Sequence, residues 1–273
     1  MPRLVGPLVL VGCGKMGGAL LDGWLQSGLA STDAYVVEPD AALREALRER
    51  HGVVALAEPK TLPTELEPRA LVFAVKPQAM AAVLPAYESL AASGAVVLSI
   101  AAGTAIARFE AAFGAATPVA RAMPNTPAAI GQGVSVLIAN ANVSAAQREL
   151  CQALMAAVGS VHWIDDEELM HPVTALSGGG PAYVFLLIET LARAGIANGL
   201  PAELAWLLAR ATVAGSGALA ASSREPPEVL RRNVTSPGGT TQAALEVLLA
   251  GDGIQLLFDR AIAAGTRRSR ELA

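Results

Sequence analysis

An apolar run, Val9–Leu10–Val11, passes directly into Gly12–Cys13–Gly14–Lys15–Met16–Gly17, and a patterned helical stretch begins at once behind it. Glycines spaced G-x-G-x-x-G between a strand and a helix serve a physical purpose. Gly12 permits a tight turn, and Gly14 lets the backbone approach a pyrophosphate with no Cβ in the way. Gly17 lets the helix sit close on the strand, while the helix start offers unpaired N–H donors to an anion. The bare motif is weak, but these flanks and the βα series that follows strengthen it. A ligand-free turn in an α/β protein is the alternative.

The series itself predicts strands over residues 8–11, 35–37, 71–75, 96–100 and 119–122. Helices are expected between them over 16–27, 41–50, 79–91 and 105–113. Further strands over 134–138 and 161–164 flank a helix over 145–157. Unbroken rather than alternating apolar strands imply a parallel sheet covered on both faces, hence a doubly wound fold. Residues 1–12 are read as the first strand rather than a signal peptide, because they run straight into the glycine turn and a patterned helix. Beyond residue 165 the strand signal stops. Helices are expected over 167–198, 201–221, 228–232, 240–249 and 254–272, punctuated by Gly199–Leu200–Pro201, Pro226–Pro227 and Gly251–Asp252–Gly253. The expected domains are 1–164, a Rossmann-type α/β sheet that binds a dinucleotide, and 165–273, all helical.

Glu38 follows the second strand about twenty residues past the last glycine of the loop, where an acidic residue can accept hydrogen bonds from both adenosine ribose hydroxyls and repel a 2′-phosphate. Taken alone it favours NADH over NADPH; a solvated strand-end carboxylate is the alternative, and Arg44 is a cation in reach of a phosphate. Open α/β sheets bind ligands at the carboxyl ends of their strands. That places the stretches around Val75–Lys76–Pro77, Ala101–Ala102–Gly103 and Met123–Pro124–Asn125 along one crevice, with Asn125 a candidate for a nicotinamide carboxamide. Each is equally an ordinary strand-end turn when taken singly.

Composition narrows the remaining choices. Hydrophobic residues are 53% and charged residues 16% of the 273, which suits a large core and a subunit interface. A net charge of -4 gives no basic field for nucleic acid. Two cysteines, Cys13 and Cys151, make no disulfide framework and suit a reducing, cytoplasmic setting. In the apolar stretch 181–221 the charges of Glu189, Arg193, Glu203 and Arg210 are expected to break any membrane-spanning run. No His, Cys or Asp set has metal-ligand spacing, so no metal is expected.

Two glycine clusters interrupt the helical half: Leu176–Ser177–Gly178–Gly179–Gly180–Pro181 and Val234–Thr235–Ser236–Pro237–Gly238–Gly239–Thr240–Thr241. Glycine in a helix costs about 1 kcal/mol against alanine, so three in a row need a reason such as close packing or a ligand. The second cluster opens a helix. There the N–H groups of Gly239, Thr240 and Thr241, with the hydroxyls of Ser236 and Thr241, make a cradle for a small carboxylate. A helix start capped by Ser236 or Thr240 is the alternative.

Both clusters, in this order behind an N-terminal dinucleotide fold, resemble the pyrroline-5-carboxylate reductase family over nearly the whole chain. The block 234–241 is similar to the family signature itself. The resemblance implies reduction of L-1-pyrroline-5-carboxylate, a small cyclic imine carboxylate, to L-proline by NAD(P)H, the last step of proline synthesis. It implies that Thr240 and Thr241 hold the substrate carboxylate through their backbone amides and that the Thr241 hydroxyl bonds the ring nitrogen. Glu167 then lies near the substrate. Cofactor contacts fall on Gly14, Lys15, Met16, Val75, Lys76 and Ala102, with Asn233 reaching over from the helical domain. Homodimers through the helical domains, and larger rings of dimers, follow as well. Two departures stand out: Gly179, where the family commonly has serine, and Glu38–Pro39, where many NADPH-preferring members have polar or basic residues.

The chemistry fits this composition. An iminium ion already carries its proton, so the reaction demands orientation and a hydrogen bond at nitrogen rather than a matched general acid. Lysine occurs only at Lys15, Lys60 and Lys76. A 3-hydroxyacid or 6-phosphogluconate-type dehydrogenase, the related alternative, needs a lysine in the helical domain. A non-catalytic dinucleotide or proline sensor is the third reading. His171 is expected on a helix surface or as a cap.

Overall fold

The computed structural model describes residues 4–273; residues 1–3, read above as part of the first strand, lie outside the described residues. Among those described, eight strands form one sheet: β1 (Leu8–Val11), β2 (Ala34–Val37), β3 (Val54–Leu56), β4 (Ala70–Phe73), β5 (Val96–Ser99), β6 (Val119–Met123), β7 (Gly133–Ala139) and β8 (Gly159–Trp163). Their order is β3-β2-β1-β4-β5-β6-β7-β8. Every neighbouring pair is parallel except β6 with β7. The chain winds outward in both directions from β1 and β4, so the crevice between those two strands is the switch point of the sheet.

Strands β1, β4 and β5 are buried along their whole length. Leu8, Leu10, Val72 and Leu98 pack on one face with Leu20, Leu21 and Trp24 of α1 (Lys15–Gln26). Val9, Val11, Leu71, Phe73 and Val97 pack on the other with Met80, Tyr87 and Phe109. Burial on both faces is why these strands read as unbroken apolar runs. The other helices of this part are α2 (Ala41–His51), α3 (Pro77–Val83), α4 (Glu88–Ala91), α5 (Ile106–Phe113), α6 (Ala145–Ala156) and α7 (Met170–Val173). The single helix expected over 79–91 is broken: Leu84–Tyr87 form a 3-10 turn, because Pro85 has no N–H to continue the α ladder. Strand β3 escaped sequence reading, since three residues are too few to show a period.

Where β7 and β8 begin, Gly133 and Gly159 face each other. A Cβ on Gly159 would collide with the Gly133 backbone, and one on Gly133 would lie 3.0 Å from the Val158 carbonyl oxygen. Only bare backbone fits there.

The chain divides into two compact units. The first runs to Gly178 and includes Gly265–Ala273; the second is Gly179–Ala264. Strands end at Trp163, near the boundary expected at residue 164, but residues 165–178 stay with the first unit for a physical reason. Met170 is buried in its second core, and Glu167 bonds to β6 and α5. His171 is 8% exposed, with Nδ1 3.0 Å from the Ser269 hydroxyl. The expectation of a surface or capping histidine is thereby corrected: it is an internal tie to the last turns of the chain.

The second unit holds α8 (Gly180–Ala197), α9 (Ala202–Ser222), α10 (Pro227–Asn233), α11 (Thr240–Leu248) and most of α12 (Ile254–Glu271). Helices α8 and α9 meet through small residues: a Cβ on Gly195 would lie 3.1 Å from Leu200 and 3.4 Å from Ala205. Its outer faces carry exposed Phe185, Leu186, Leu207, Val247 and Leu257. A groove of about 550 Å³ runs between α8, α11 and α12, lined by Tyr183, Leu186, Leu187, Leu257 and Phe258. The scattered charges do not break every long apolar run. Glu167–Ala197 and Ala202–Ser222 are each long and apolar enough to cross a membrane, with mean hydropathies of 1.3 and 1.4 in their best windows. That correction has a reason in the fold: these helices bury little within one chain, with 11% of each window buried, so their apolar faces stay open.

Candidate active site

Each glycine of the first loop has its own physical role. Gly12 adopts φ +83°, and a Cβ there would lie 2.8 Å from Val75 Cγ1. Its N–H donates to the Val37 carbonyl at 2.8 Å. Gly17 brings α1 so close that a Cβ would sit 2.6 Å from the Gly12 oxygen. Around Gly14, by contrast, a Cβ would meet nothing within 4 Å, which leaves an opening at the mouth of the switch-point crevice. Gly14 is the N-cap of α1, and no side chain caps the helix. The N–H groups of Lys15 and Met16 therefore remain for an anion. A cradle made of backbone donors around an unfilled approach fits a dinucleotide pyrophosphate.

Glu38, beside this loop, is not a solvated strand end: it is 9% exposed. Its Oε2 accepts the Cys13 N–H at 2.8 Å and its Oε1 the Asp40 N–H at 3.1 Å. Arg44 donates from Nη1 to the carbonyls of Glu38 and Pro39, both at 2.8 Å. Burial, then the charges of Glu38 and Asp22, raise the Cys13 thiol to about 12. Burial raises Cys151 to about 12 as well. Neither thiol is a nucleophile at neutral pH.

At the next strand ends, Lys76 is the N-cap of α3, with Pro77 at its first position, and Val75 lies against Gly12. A cavity of about 310 Å³ opens at the carboxyl ends of β4 and β5, lined by Pro77, Gln78, Ala102, Gly103, Thr104 and Thr174. Asn125 is anchored through its side-chain amide. Its Oδ1 accepts the Val134 N–H at 2.9 Å and its Nδ2 donates to the Ser177 carbonyl at 3.2 Å. It braces the β6 end against β7 and the turn at Ser177, and its second amide N–H is left over. Thr174–Gly178 is a π-helical turn leading towards α8, so the first glycine cluster continues a helix rather than forming a loop. Close packing explains it: a Cβ on Gly178 would run into the Met123 methyl.

Glu167 is more engaged than sequence reasoning allowed. Its Oε1 accepts from Arg121 Nη1 and, at 2.9 Å, from the Ile106 N–H at the start of α5. Only Oε2 is left for a ligand. Arg121, 7% exposed, was passed over as part of a strand. A charged residue inside an apolar strand was the available signal that a carboxylate had to lie near it.

In the second unit, Asn233, Ser236, Gly239, Thr240 and Thr241 lie within the α10 end, one loop and the α11 start. Gly239 is the N-cap of α11, and no side chain caps it, so neither Ser236 nor Thr240 acts as the cap. Gly238 turns the chain at φ +71° and gives its N–H to the Gln242 side chain at 2.7 Å. The Gly239 N–H is already bonded to the Ser236 carbonyl at 3.0 Å, which corrects its expected place among the anion donors. Thr240 and Thr241 are exposed at the first two positions of the helix. Asn233 donates to Glu225 Oε2 at 3.1 Å.

Known proteins match both units. Residues 167–272 match the model described as pyrroline-5-carboxylate reductase dimerisation. Residues 7–103 match the one described as NADP oxidoreductase coenzyme F420-dependent. A pyrroline-5-carboxylate reductase from Pseudomonas aeruginosa is 40% identical over 266 residues, 97% of this chain and 96% of its own. The corresponding protein from Pisum sativum is 35% identical over 97% of this chain and 96% of its own. The solved structure of the Coxiella burnetii reductase superposes with a TM-score of 0.92 at 33% identity, covering 98% of both chains. The Plasmodium falciparum enzyme, solved with NADP bound, gives a TM-score of 0.82 at 29% identity over 97% of both. By this likeness along nearly its whole length, the chain belongs to the pyrroline-5-carboxylate reductase family.

Proposed function

We propose that this chain performs its family's reaction, the reduction of L-1-pyrroline-5-carboxylate to L-proline by NAD(P)H, with its two units dividing the work. The sheet unit, Met1–Gly178 with Gly265–Ala273, holds the dinucleotide, and the helical unit, Gly179–Ala264, holds the substrate carboxylate and forms the homodimer. The carrying observation is the pair of uncapped helix starts, α1 behind Gly14 and α11 behind Gly239, each offering backbone donors to an anion. Gly12, Gly14, Lys15, Met16 and Gly17 receive the pyrophosphate. Glu38 receives the adenosine ribose, and Val75, Lys76 and Ala102 border the nicotinamide half; the family resemblance assigns Asn233 to the cofactor as well.

Bound NAD(P)H supplies the hydride, which goes to the imine carbon while the C=N electron pair moves to nitrogen. Everything else is positioning by the chain. The N–H groups of Thr240 and Thr241 bind the substrate carboxylate, with the Ser236 hydroxyl beside them and Gly239 shaping the turn. The Thr241 hydroxyl accepts a hydrogen bond from the iminium N–H and fixes the ring face presented. Glu167, which the family resemblance assigns to the substrate, keeps Oε2 for a ligand. The proton already on nitrogen makes a separate general acid unnecessary.

The exposed apolar faces of α8, α9 and α12 support a homodimer through the helical unit, and we extend this to a ring of dimers. Free, buried cysteines support a cytoplasmic setting. Oxidation of NADH and NADPH should be followed with pyrroline-5-carboxylate and with its six-membered homologue. Consumption with the five-membered imine is expected; none with either imine would end the proposal.

A further inference from the structure

We infer that Glu38 makes this chain select NADH over NADPH; the inference deepens the cofactor part of the proposed function and rests on it. In a doubly wound sheet the adenosine ribose lies beyond the carboxyl end of β2, which is where Glu38 stands. Three features of that corner oppose a 2′-phosphate.

The first is that the carboxylate is fixed in advance. Its two oxygens accept the N–H groups of Cys13 and Asp40 at 2.8 and 3.1 Å, and the residue is 9% exposed. Each carboxylate oxygen has a second lone pair, so two ribose hydroxyls can be met without reorganisation. A 2′-phosphate arriving there would face a held negative charge that cannot swing away. The second is that the start of α2, a ready anion site in principle, is already filled. Asp40 is its N-cap and accepts the Leu43 N–H at 2.9 Å. The third concerns Arg44, the one cation in the first turn of α2. Its Nη1 is held by the Glu38 and Pro39 carbonyls, both at 2.8 Å, so it braces the corner instead of reaching outward.

The test combines turnover with binding that requires no turnover. We expect kcat/KM with pyrroline-5-carboxylate to be about 10- to 100-fold higher for NADH than for NADPH, the worth of hydrogen bonds to a charged group. Calorimetric titration of the substrate-free protein should show adenosine 5′-monophosphate binding more tightly than adenosine 2′,5′-bisphosphate by a similar factor. Glu38→Gln should narrow both ratios, and Glu38→Asp, which keeps the charge, should narrow them less. Arg44→Ala should leave the ratios as they are. Equal or better use of NADPH by the native chain, or a selective loss of NADPH use in Arg44→Ala, would overturn the inference. Fragment preference without turnover of either dinucleotide would instead sink the reaction while leaving the role of Glu38 standing.

Discussion

Arg121 and Glu167 lie 46 positions apart in the chain and form an ion pair in the first unit, with the guanidinium side chain 8% exposed. The same carboxylate oxygen also receives the Ile106 N–H. One contact therefore ties β6 to the start of α5, just after the Ala102 turn. Removing the carboxylate leaves a buried cation with no counter-charge. Glu167→Ala should destabilise the protein by about 3 kcal/mol, read as a lowered midpoint in thermal melts. Glu167→Gln keeps an acceptor oxygen and should lose less. An unchanged melt in the alanine variant would remove the pair from the stability of this unit.

Glycines of the first loop should respond to substitution in opposite ways. Gly14→Val places its side chain where no protein atom lies within 4 Å, so the fold should survive while dinucleotide binding is lost. Gly12→Ala forces a side chain into φ +83° and against Val75, so it should lower the melting midpoint as well. Circular dichroism and nucleotide titration on the two variants separate these effects. Loss of folding in Gly14→Val would contradict the open approach described here.

Thr241→Val keeps the backbone N–H and nearly the same shape but deletes the hydroxyl. Turnover should fall by about 100-fold, the scale for losing an aligned hydrogen bond in the transition state, with dinucleotide affinity nearly unchanged. Steady-state kinetics beside equilibrium titration gives both numbers. Near-native kcat would take Thr241 out of the chemistry.

Because Cys13 and Cys151 are raised to about 12, both stay protonated at neutral and mildly alkaline pH. Native protein at pH 8 should react with a thiol-specific disulfide reagent far more slowly than unfolded protein, which should show two thiols. A fast native reaction would mean that one of them is open to solvent.

The helical unit should not persist alone in water with its apolar faces bare. Leu257→Glu, at a residue 60% exposed beside the groove, should shift the protein toward monomers in sedimentation velocity. The sheet unit's core should be left untouched. A dimer as tight as the native one would place the interface elsewhere.

The sheet was legible because its strands are buried on both faces and announce themselves as apolar runs at 8–11, 96–99 and 119–122. The glycine loop was legible because each glycine answers a separate steric demand. Other features were hidden for equally physical reasons. Hydrogen bonds of Asn125 and Glu167 join residues 52 and 61 positions apart, and no local pattern encodes such pairs. His171 looked like a surface residue because its partner, Ser269, lies 98 positions away. The triple glycine at 178–180 read as a break, whereas the helix continues through it with the Met123 methyl packed over Gly178. At the second cluster, the run of glycines opening a helix suggested an anion cradle but not that the Gly239 N–H was already bonded to the Ser236 carbonyl.

The bare backbone shared by Gly133 and Gly159 governs what happens at the rim of the sheet. A methyl group at Gly159 would meet the Gly133 backbone, and one at Gly133 the Val158 carbonyl, so the start of β8 would have to draw away from β7. Val161 and Trp163, packed on the first core, would then lose contact with it. The displaced strand would also uncover the hydrogen-bonding row of β7, a template for uncontrolled addition of foreign strands. Two missing side chains at this edge thus guard solubility as much as shape.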